Sequence, residues 1–211
     1  MYVPKTFALS DGAEIAEVIR RHDFALLITA ADGPPQATHL PFLYDADRGP
    51  HGTLIAHMAR ANPHWHDFAR IAVKGGEALV IFQGPHVYVS PNWYTGGPAV
   101  PTWNYVTVHA YGTPRIVEEP TQVHGILDRL VKTHEDGSAR PWSLDSQDDK
   151  FIAGMMRGIV AFEIPVARIE AKAKLSQNRP PEDRRGVVDA LTTHGDAQAK
   201  DVAALMDRLS F

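Results

Sequence analysis

The chain contains a succession of apolar segments of strand length, each ended by a turn rich in glycine, proline or aspartate. The first, FALLITAA, stops at the turn DGPP, and the others follow with only a few helical segments inserted among them. Strands that succeed one another in this way pair antiparallel, whereas a doubly wound parallel sheet needs a helix after each strand. The pattern predicts a mainly β or α+β fold, an antiparallel barrel with helices packed on its outside. The predicted strands cover residues 24–31, 36–45, 52–58, 77–84, 86–91, 101–117 and 158–176.

Helical spacing of apolar residues occurs between the strands and again at the C-terminal end. With 44% of its 211 residues hydrophobic, the chain can bury one large core. We therefore expect a barrel domain over residues 1–176 with inserted helices, and a helical extension over residues 177–211 packed on the same domain. The predicted helices lie near residues 11–19, 63–74, 123–131 and 148–156, with two more in 181–211.

Composition excludes several classes of site. The chain has no cysteine, which excludes disulfides, thiolate catalysis and cysteine-ligated zinc or iron–sulfur clusters. Its net charge of −4 and its pI near 6.2 give no overall attraction to nucleic acid, so any DNA contact has to be local. No apolar run reaches the roughly 18 residues of a membrane span, and the first residues lack a secretion pattern, so we expect a cytoplasmic protein.

The segment HMARANPHW, residues 57–65, has the features of an anion site. The common phosphate-binding motifs, G-x-G-x-x-G and G-x-x-x-x-G-K-[ST], do not occur in the chain, so a nucleotide would be held differently. Asn62 followed by Pro63 predicts a helix start with unpaired backbone N–H groups, and Arg60, two residues before, can form a forked contact with a phosphate. The alternative is that Asn62 only caps the helix and Arg60 is a solvated surface charge.

Three histidines in or beside this segment, His57, His64 and His66, raise the question of a metal site. His57 lies on a predicted strand, while His64 and His66 are two positions apart on the predicted helix and so point about 200° apart. No suitably spaced carboxylate completes a set of ligands. The sequence predicts no metal site.

The segment HVYVSPNWYTGGPAVPTWNY, residues 86–105, combines aromatic residues with a loop that cannot form regular structure. Trp93, Trp103 and Tyr105 flank the glycines and proline of residues 96–98, so flat apolar surfaces lie beside exposed backbone N–H and C=O groups. Such surfaces suit a planar heterocycle. The alternative, that the aromatic residues fill a barrel end or form a subunit interface, is equally compatible with the sequence.

Five blocks of sequence, taken together, resemble the PaiB family of FMN-binding negative transcriptional regulators. The blocks occur in the family's order and span nearly the whole chain. The resemblance implies an antiparallel split β-barrel of the pyridoxamine-phosphate-oxidase type, and a homodimer with FMN in clefts between its two subunits. The blocks are ATHLPF (37–42), HMARANPHW (57–65), YVSPNWY (88–94), VPTWNY with VHAYG (100–112), and KLSQNRPPEDRRGV (174–187).

The resemblance also implies which residues hold FMN. The phosphate is expected near the end of the strand 52–58, in agreement with the helix-start argument, and the isoalloxazine along residues 39–41. Aromatic residues of the block VPTWNY close the pocket from the partner subunit. The segment 174–178 reaches the same cleft, or else forms only a hydrogen-bonded turn. The predicted cofactor-binding residues are His39, Leu40, Pro41, His57, Met58, Ala59, Arg60, Asn62, Trp103, Asn104, Tyr105, Lys174, Gln177 and Asn178.

Three functions remain open. The resemblance implies an FMN-binding regulator of transcription, for which the C-terminal helical segment is the candidate DNA contact, although its Arg184 and Arg185 lie among acidic residues. The second function is a flavin-dependent oxidoreductase, in which the flavin carries hydride or electrons, but the sequence names neither substrate nor catalytic residue. The third is haem binding, with His57, His64 and His86 as candidate ligands.

Overall fold

The computed structural model describes residues 1–208. Within them the strands are β1 (Phe24–Thr29), β2 (Gln36–Pro41), β3 (Leu43–Asp45), β4 (Thr53–Ala59), β5 (Ala78–Val89), β6 (Thr102–Gly112), β7 (Arg115–Val117) and β8 (Ile159–Lys174). The α-helices are α1 (Gly12–Arg21), α2 (Asp67–Val73), α3 (Pro120–Glu135), α4 (Asp149–Arg157), α5 (Pro181–His194) and α6 (Ala197–Arg208). Short 3-10 helices cover Lys5–Phe7, Pro63–His66, Pro91–Trp93 and Leu144–Ser146. None of the helices in residues 1–208 is long and apolar enough to cross a bilayer.

The strands form an antiparallel sheet. Its strand order is β2-β1-β5-β6-β8-β4-β3, and β7 also pairs with β8. The register of each antiparallel pair is defined. Leu26 lies opposite His39 between β1 and β2, and His57 lies opposite Ala161 between β4 and β8. The predicted fold class, an antiparallel sheet of the split-barrel type with peripheral helices, is confirmed, and a doubly wound parallel sheet is excluded.

Strand boundaries differ from the prediction in at least three places. The strand predicted over residues 36–45 is divided at Phe42 into β2, which pairs with β1, and β3, which pairs with β4. β5 runs unbroken through Gly84 and Pro85, where the sequence predicted a turn, because both residues are buried in the strand. A Cβ on Gly84 would lie 3.0 Å from the carbonyl oxygen of Val106, so the glycine permits a close approach of two backbones. The strand predicted over residues 101–117 is divided into β6 and β7 beside Pro114, which has no N–H to continue the pairing.

The chain forms two compact units. Three strands, β5, β6 and β8, run from one unit into the other. The domain boundary expected at residue 176 stays a prediction, and the described residues after it belong to unit 1. Unit 1 comprises residues 1–21, 83–109 and 170–208 of the described chain, and unit 2 comprises residues 22–82 and 110–169.

The core of unit 2 contains four phenylalanines that are each at most 2% exposed. Phe42 meets Phe82 and Phe162 edge to face, with ring centroids 6.0 and 6.2 Å apart. Phe68 of α2 lies 4.9 Å from Phe162. Because burying a side chain of this size contributes about 1.5–3 kcal/mol, these contacts fix α2 on the sheet close to the end of β4.

A second apolar cluster in unit 2 packs α3 on the sheet. Val123, Ile126 and Leu130 recur at helical spacing along α3 and are all buried. They meet Leu43, Ile55 and Ala161 from three strands. Ile55 and His57 are two residues apart on β4, so His57 is placed on the same face of the strand as this cluster.

Unit 1 carries the two C-terminal helices that the sequence predicted. α5 and α6 pack against each other through buried apolar residues, among them Leu191 and Met206. A Cβ on Gly186 of α5 would lie 2.2 Å from the carbonyl oxygen of Trp93. Glycine is therefore needed at this position for α5 to approach the 3-10 helix Pro91–Trp93.

Candidate functional site

Two segments that the sequence assigned to FMN meet inside unit 2. Asn62, which follows β4, donates a hydrogen bond from Nδ2 to Oγ1 of Thr38 on β2, over 3.2 Å. Its Oδ1 accepts from the backbone N–H of His64 at 3.0 Å, which confirms the predicted helix cap. The helix begins as the 3-10 helix Pro63–His66 and continues as α2. We call residues 38–41 and 57–62 the β2–β4 corner.

A chain of hydrogen bonds continues from Thr38 into the interior of unit 2. Thr38 Oγ1 lies 2.7 Å from Nδ1 of His64, and His64 Nε2 lies 2.8 Å from Oγ1 of Thr29. Thr29 in turn donates to Oδ2 of Asp67 at 2.6 Å. His64 and Thr29 are each 1% exposed and Asp67 is 3% exposed, so these polar groups depend on one another rather than on water.

The chemistry of the end groups orients most of the bonds in this chain. A carboxylate only accepts, so the single hydroxyl hydrogen of Thr29 points to Asp67 and its oxygen accepts from His64 Nε2–H. At the other end, the amide nitrogen of Asn62 only donates, so the oxygen of Thr38 accepts from it. When His64 is neutral with its proton on Nε2, the Thr38 hydroxyl donates to Nδ1 and every bond of the chain is formed.

The surroundings of His64 favour this neutral form. Burial lowers the pKa of His64 below its usual 6.5, and the nearby carboxylate of Asp67 opposes that shift without reversing it. Asp67 also accepts from Gln36 at 3.2 Å and from Arg70 at 3.2 Å, so its carboxylate has three hydrogen-bond donors. Sequence reasoning missed Thr29, Thr38 and Asp67, whose partners are distant along the chain.

His57 on β4 provides a polar atom without a partner. Its Nδ1 is buried and makes no hydrogen bond within residues 1–208. Burial lowers the pKa of this imidazole, so it is neutral at physiological pH. An unpaired buried acceptor or donor costs about 1–3 kcal/mol, which makes His57 a position that a polar ligand would stabilise.

Arg60 is held at the end of β4 by three consecutive carbonyl groups. Its backbone N–H donates to Gly158 at 2.8 Å, while its guanidinium donates from Nε to Arg157 at 3.0 Å and from Nη2 to Ile159 at 2.8 Å. Within residues 1–208 no carboxylate pairs with it and Nη1 makes no hydrogen bond. The side chain is exposed, so one end of a fixed guanidinium faces solvent.

The other predicted residues of unit 2 differ in accessibility. His39 is exposed and stacks on Phe24, with ring centroids 6.0 Å apart. The side chains of Leu40 and Met58 are buried, so these two residues can offer a ligand only backbone groups. Ala59 is exposed and Pro41 is half-buried.

The aromatic residues predicted in unit 1 form an exposed cluster. Trp103 is 53% exposed and meets Tyr88 edge to face at 6.1 Å and His86 at 6.2 Å. Tyr88 is itself 44% exposed. Tyr105 is half-buried and lies 5.2 Å from the ammonium group of Lys172. These exposed rings are available for contact with another molecule.

Two predicted residues of unit 1 are used inside the fold instead. Asn104 is 0% exposed and its Nδ2 donates to Ser176 at 2.9 Å. Gln177 bonds its neighbours, accepting from Leu175 N–H at 2.7 Å and donating to Ala173 at 2.6 Å. Both side chains stabilise the turn after β8.

Lys174 and Asn178 are the more accessible members of the same segment. Asn178 is exposed. The ammonium group of Lys174 donates to Oγ1 of Thr102 and to the carbonyl of Trp103, each at 2.6 Å. Burial lowers the pKa of Lys174, and the neighbouring charges of Lys172 and Arg179 add to the shift.

No metal centre is found in the described part of the chain, residues 1–208, where no group of three or more His, Asp or Glu side chains is arranged to hold an ion. Both ring nitrogens of His64 are engaged by threonine hydroxyls, so His64 is not available as a haem ligand while this chain of bonds persists. The haem alternative loses one of its three candidate ligands.

Replacing Thr29 tests the chain of hydrogen bonds. We expect Thr29→Val to lower the free energy of unfolding by roughly 2–4 kcal/mol, because it leaves His64 Nε2–H without its acceptor and removes one of the two donors to Oδ2 of Asp67. Thr29→Ser keeps the hydroxyl and should cost about 1 kcal/mol for the lost methyl group. Urea denaturation measures both values. Equal losses for the two variants would contradict the assignment.

Stability should also depend on pH through the buried histidines. His57 and His64 have folded pKa values below 6.5, so the unfolded chain takes up protons first as the pH falls. The free energy of unfolding should therefore be level above pH 7.5 and fall below pH 6.5, by up to about 1.4 kcal/mol per pH unit for each proton. Urea denaturation between pH 7.5 and 5.5 should show a smaller fall for His57→Gln. The exposed His39→Gln is the control, and a slope equal to that of His57→Gln would refute the interpretation.

Comparison with known proteins identifies the family. The family model described as "Putative FMN-binding domain" matches residues 1–168. The chain is 35% identical over 207 residues to the Bacillus subtilis (strain 168) "Protease synthase and sporulation protein PAI 2", covering 98% of this chain and 97% of that protein.

Solved structures resemble the fold. The flavocytochrome Anf3 of Azotobacter vinelandii matches with a TM-score of 0.58 at 13% identity, covering 82% of this chain and 72% of that one. The FAD and haem binding protein of Mycobacterium smegmatis matches with a TM-score of 0.55 at 16% identity, covering 79% and 72%. At these identities the likeness concerns the fold alone. The resemblance to the PaiB family and the prediction of FMN as cofactor are confirmed by the family match, and the chain belongs to the FMN-binding domain family.

Proposed function

We propose that this chain binds FMN at the β2–β4 corner of unit 2. One observation carries the proposal: the 3.2 Å hydrogen bond from Asn62, in the segment predicted to hold the phosphate, to Thr38, the residue directly before the segment 39–41 predicted along the isoalloxazine. The hydrogen bonds from Thr38 through His64 and Thr29 to Asp67 hold both segments in one arrangement. A site whose polar groups are fixed before binding loses less conformational entropy when the ligand arrives.

The polar groups of the corner match the chemistry of FMN. The phosphate of FMN is a dianion near neutral pH, and the exposed end of the Arg60 guanidinium can donate to it. The neutral His57 has a buried Nδ1 that lacks a partner, and the ribityl hydroxyls and the ring N3–H of FMN supply donors for such an acceptor. The second N–H of Asn62 is a further donor at the same corner.

Each residue of the corner has a separate part in holding the cofactor. Bound FMN would supply the capacity to accept and donate hydride or single electrons. Arg60 and Asn62 bind its phosphate end, while the backbone of residues 39–41 and of Met58 borders the rest of the molecule. We assign no proton donor among the side chains of the corner, and so no substrate.

We propose in addition that the functional form is a homodimer, in which unit 1 of one subunit completes the site of its partner. The exposed cluster of Trp103 and Tyr88 supports this proposal, since exposed aromatic residues are enriched in subunit interfaces. Lys174 and Asn178 would add polar groups from the same side. Asn104 and Gln177, whose side chains are bonded within the fold, would act by holding that segment in place.

The role that we propose is regulatory, as an FMN-bound cytoplasmic dimer. Its support is the family resemblance together with the 35% identical relative named for protease synthase and sporulation. The proposal includes no DNA-reading helix in residues 1–208, because α5 and α6 bury their apolar faces against each other and the first turn of α5 carries Glu182 and Asp183.

Replacing Arg60 tests the phosphate contact. We expect Arg60→Ala to weaken FMN binding by about 1.5–3 kcal/mol, roughly ten- to a hundredfold, because one charged hydrogen bond to the phosphate is lost. Riboflavin has the same ring and ribityl chain without the phosphate, so its affinity should be nearly unchanged. Titrations of flavin fluorescence measure both ligands.

The control for Arg60 is Arg129→Ala, which removes another exposed arginine of unit 2 that pairs with Asp45. It should leave both flavin affinities unchanged. An equal loss of FMN and riboflavin in Arg60→Ala would show that Arg60 only supports the local fold through its bonds to residues 157–159, and would remove it from the phosphate site.

Replacing Trp103 tests the dimer. We expect the wild-type protein to be a dimer at micromolar concentration and Trp103→Ala to raise its dissociation constant about tenfold or more, with a parallel loss of FMN affinity, because a large exposed ring is a typical interface anchor. Light scattering and sedimentation measure the mass. Trp142→Ala is the matched control, since Trp142 is 41% exposed and belongs to unit 2. A wild-type monomer would refute this part of the proposal.

A further inference from the structure

Unit 2 contains a cavity of about 830 Å³ that adjoins the β2–β4 corner at Arg60. It lies between β7, α3, α4 and the first residues of β8. Sites for small molecules typically measure about 300–1,000 Å³. The cavity has the size of a ligand site.

The walls of the cavity are mainly apolar. Val123 and Ile152 are buried side chains that face it from α3 and α4, and Met156 and Ile159 are half-buried. Ile116 of β7 is 38% exposed at its edge. Apolar surface that the protein's own side chains leave uncovered is stabilised when an apolar ligand covers it, because water is then displaced from that surface.

One wall is aromatic and fixed in place. The indole N–H of Trp65 donates to the carbonyl of Arg60 at 3.1 Å, and its ring lies 3.7 Å from the ring of His66. Trp65 therefore presents an immobilised ring to the cavity. A fixed aromatic surface favours ligands that themselves contain rings, which stack at little entropic cost.

The charges around the cavity are unfavourable for an anion. Three carboxylates, those of Glu118, Asp145 and Asp149, line it, and none of them forms an ion pair within residues 1–208. Two arginines, Arg60 and Arg157, also line it, so the lining has one more negative than positive side chain. An anion therefore gains no net attraction from the charged side chains of this cavity.

We propose that this cavity is a second ligand site, which takes an uncharged or cationic ring-containing apolar molecule and not FMN. The volume of the cavity limits the size of the ligand, and the apolar walls with Trp65 favour an apolar body that contains rings. The excess of carboxylates over guanidinium groups disfavours an anion. The lining residues all belong to unit 2.

The test compares two dyes that differ in one charged group. N-phenyl-1-naphthylamine is uncharged, and 8-anilinonaphthalene-1-sulfonate has the same ring system with a sulfonate. We expect the uncharged dye to bind saturably to the full-length protein, one molecule per chain, with fluorescence enhancement and energy transfer from Trp65. The sulfonate should bind about tenfold more weakly, and Asp145→Asn with Asp149→Asn should narrow that difference.

A substitution that fills the cavity locates the dye. Ala153 lines the cavity from an exposed position on α4, so Ala153→Trp can occupy it with little disturbance of the core, and should weaken binding of the uncharged dye at least about tenfold. Lys150→Trp introduces the same ring on the same helix at a position that does not line the cavity, and should leave dye binding within about twofold. FMN affinity should be unchanged in both variants.

Four results would overturn the proposal. They are the absence of saturable binding by the uncharged dye, equal dye binding by wild type and Ala153→Trp, a sulfonate that binds as tightly as the uncharged dye, and loss of FMN binding in Ala153→Trp. The last would put FMN itself in the cavity. The titrations of Arg60→Ala with FMN and riboflavin test the FMN proposal at the β2–β4 corner separately from these dye experiments.

Discussion

The geometry of the candidate site depends on one buried carboxylate. Asp67 is 3% exposed, and an ion that is removed from water in this way is tolerated only when donors surround it. Its donors come from three elements: Thr29 of β1, Gln36 of β2 and Arg70 of α2. The need to satisfy one charge therefore ties the helix to two strands. Through His64 the same requirement extends to the β2–β4 corner.

The consequence is that β2 is held by more than its pairing with β1. β2 is the last strand at one end of the strand order, and such a strand is normally the least constrained part of a sheet. Here its inward side chains Gln36 and Thr38 bond to α2 and to the 3-10 helix before it. His39, the residue after Thr38, is left on the opposite face. One face of β2 is thus used for structure while the other remains available for a ligand or a partner.

Patterns among neighbouring residues predict much of this arrangement. They do not predict the polar contacts between residues that are distant along the chain. The alternation of apolar residues predicted the antiparallel fold, and Asn62 with Pro63 predicted the helix cap, because both signals lie within a few adjacent residues. The bonds of His64 to Thr38 and Thr29 join residues 26 and 35 positions apart. No spacing in the sequence encodes such a pair.

Treating a motif as a block hides differences between its residues. The resemblance places Trp103 and Asn104 together at the pocket, yet neighbours on a strand point to opposite faces, and the structure has one 53% exposed and the other fully buried. The composition of the dipeptide Gly84-Pro85 predicts a turn, whereas both residues lie within β5. Whether a glycine makes a turn or admits a neighbouring backbone depends on the packing around it, which composition does not contain.

Arg60 gives the two proposed sites a physical connection. It belongs to the β2–β4 corner and also lines the cavity, and its three hydrogen bonds to residues 157–159 tie the end of β4 to the end of α4. Coupling between sites requires an element whose position both ligands influence. Here the carbonyl groups that orient the guanidinium belong to the backbone of residues 157–159, so a cavity ligand that leaves this backbone in place also leaves the orientation of Arg60 unchanged. The two sites therefore share a residue and still bind their ligands independently.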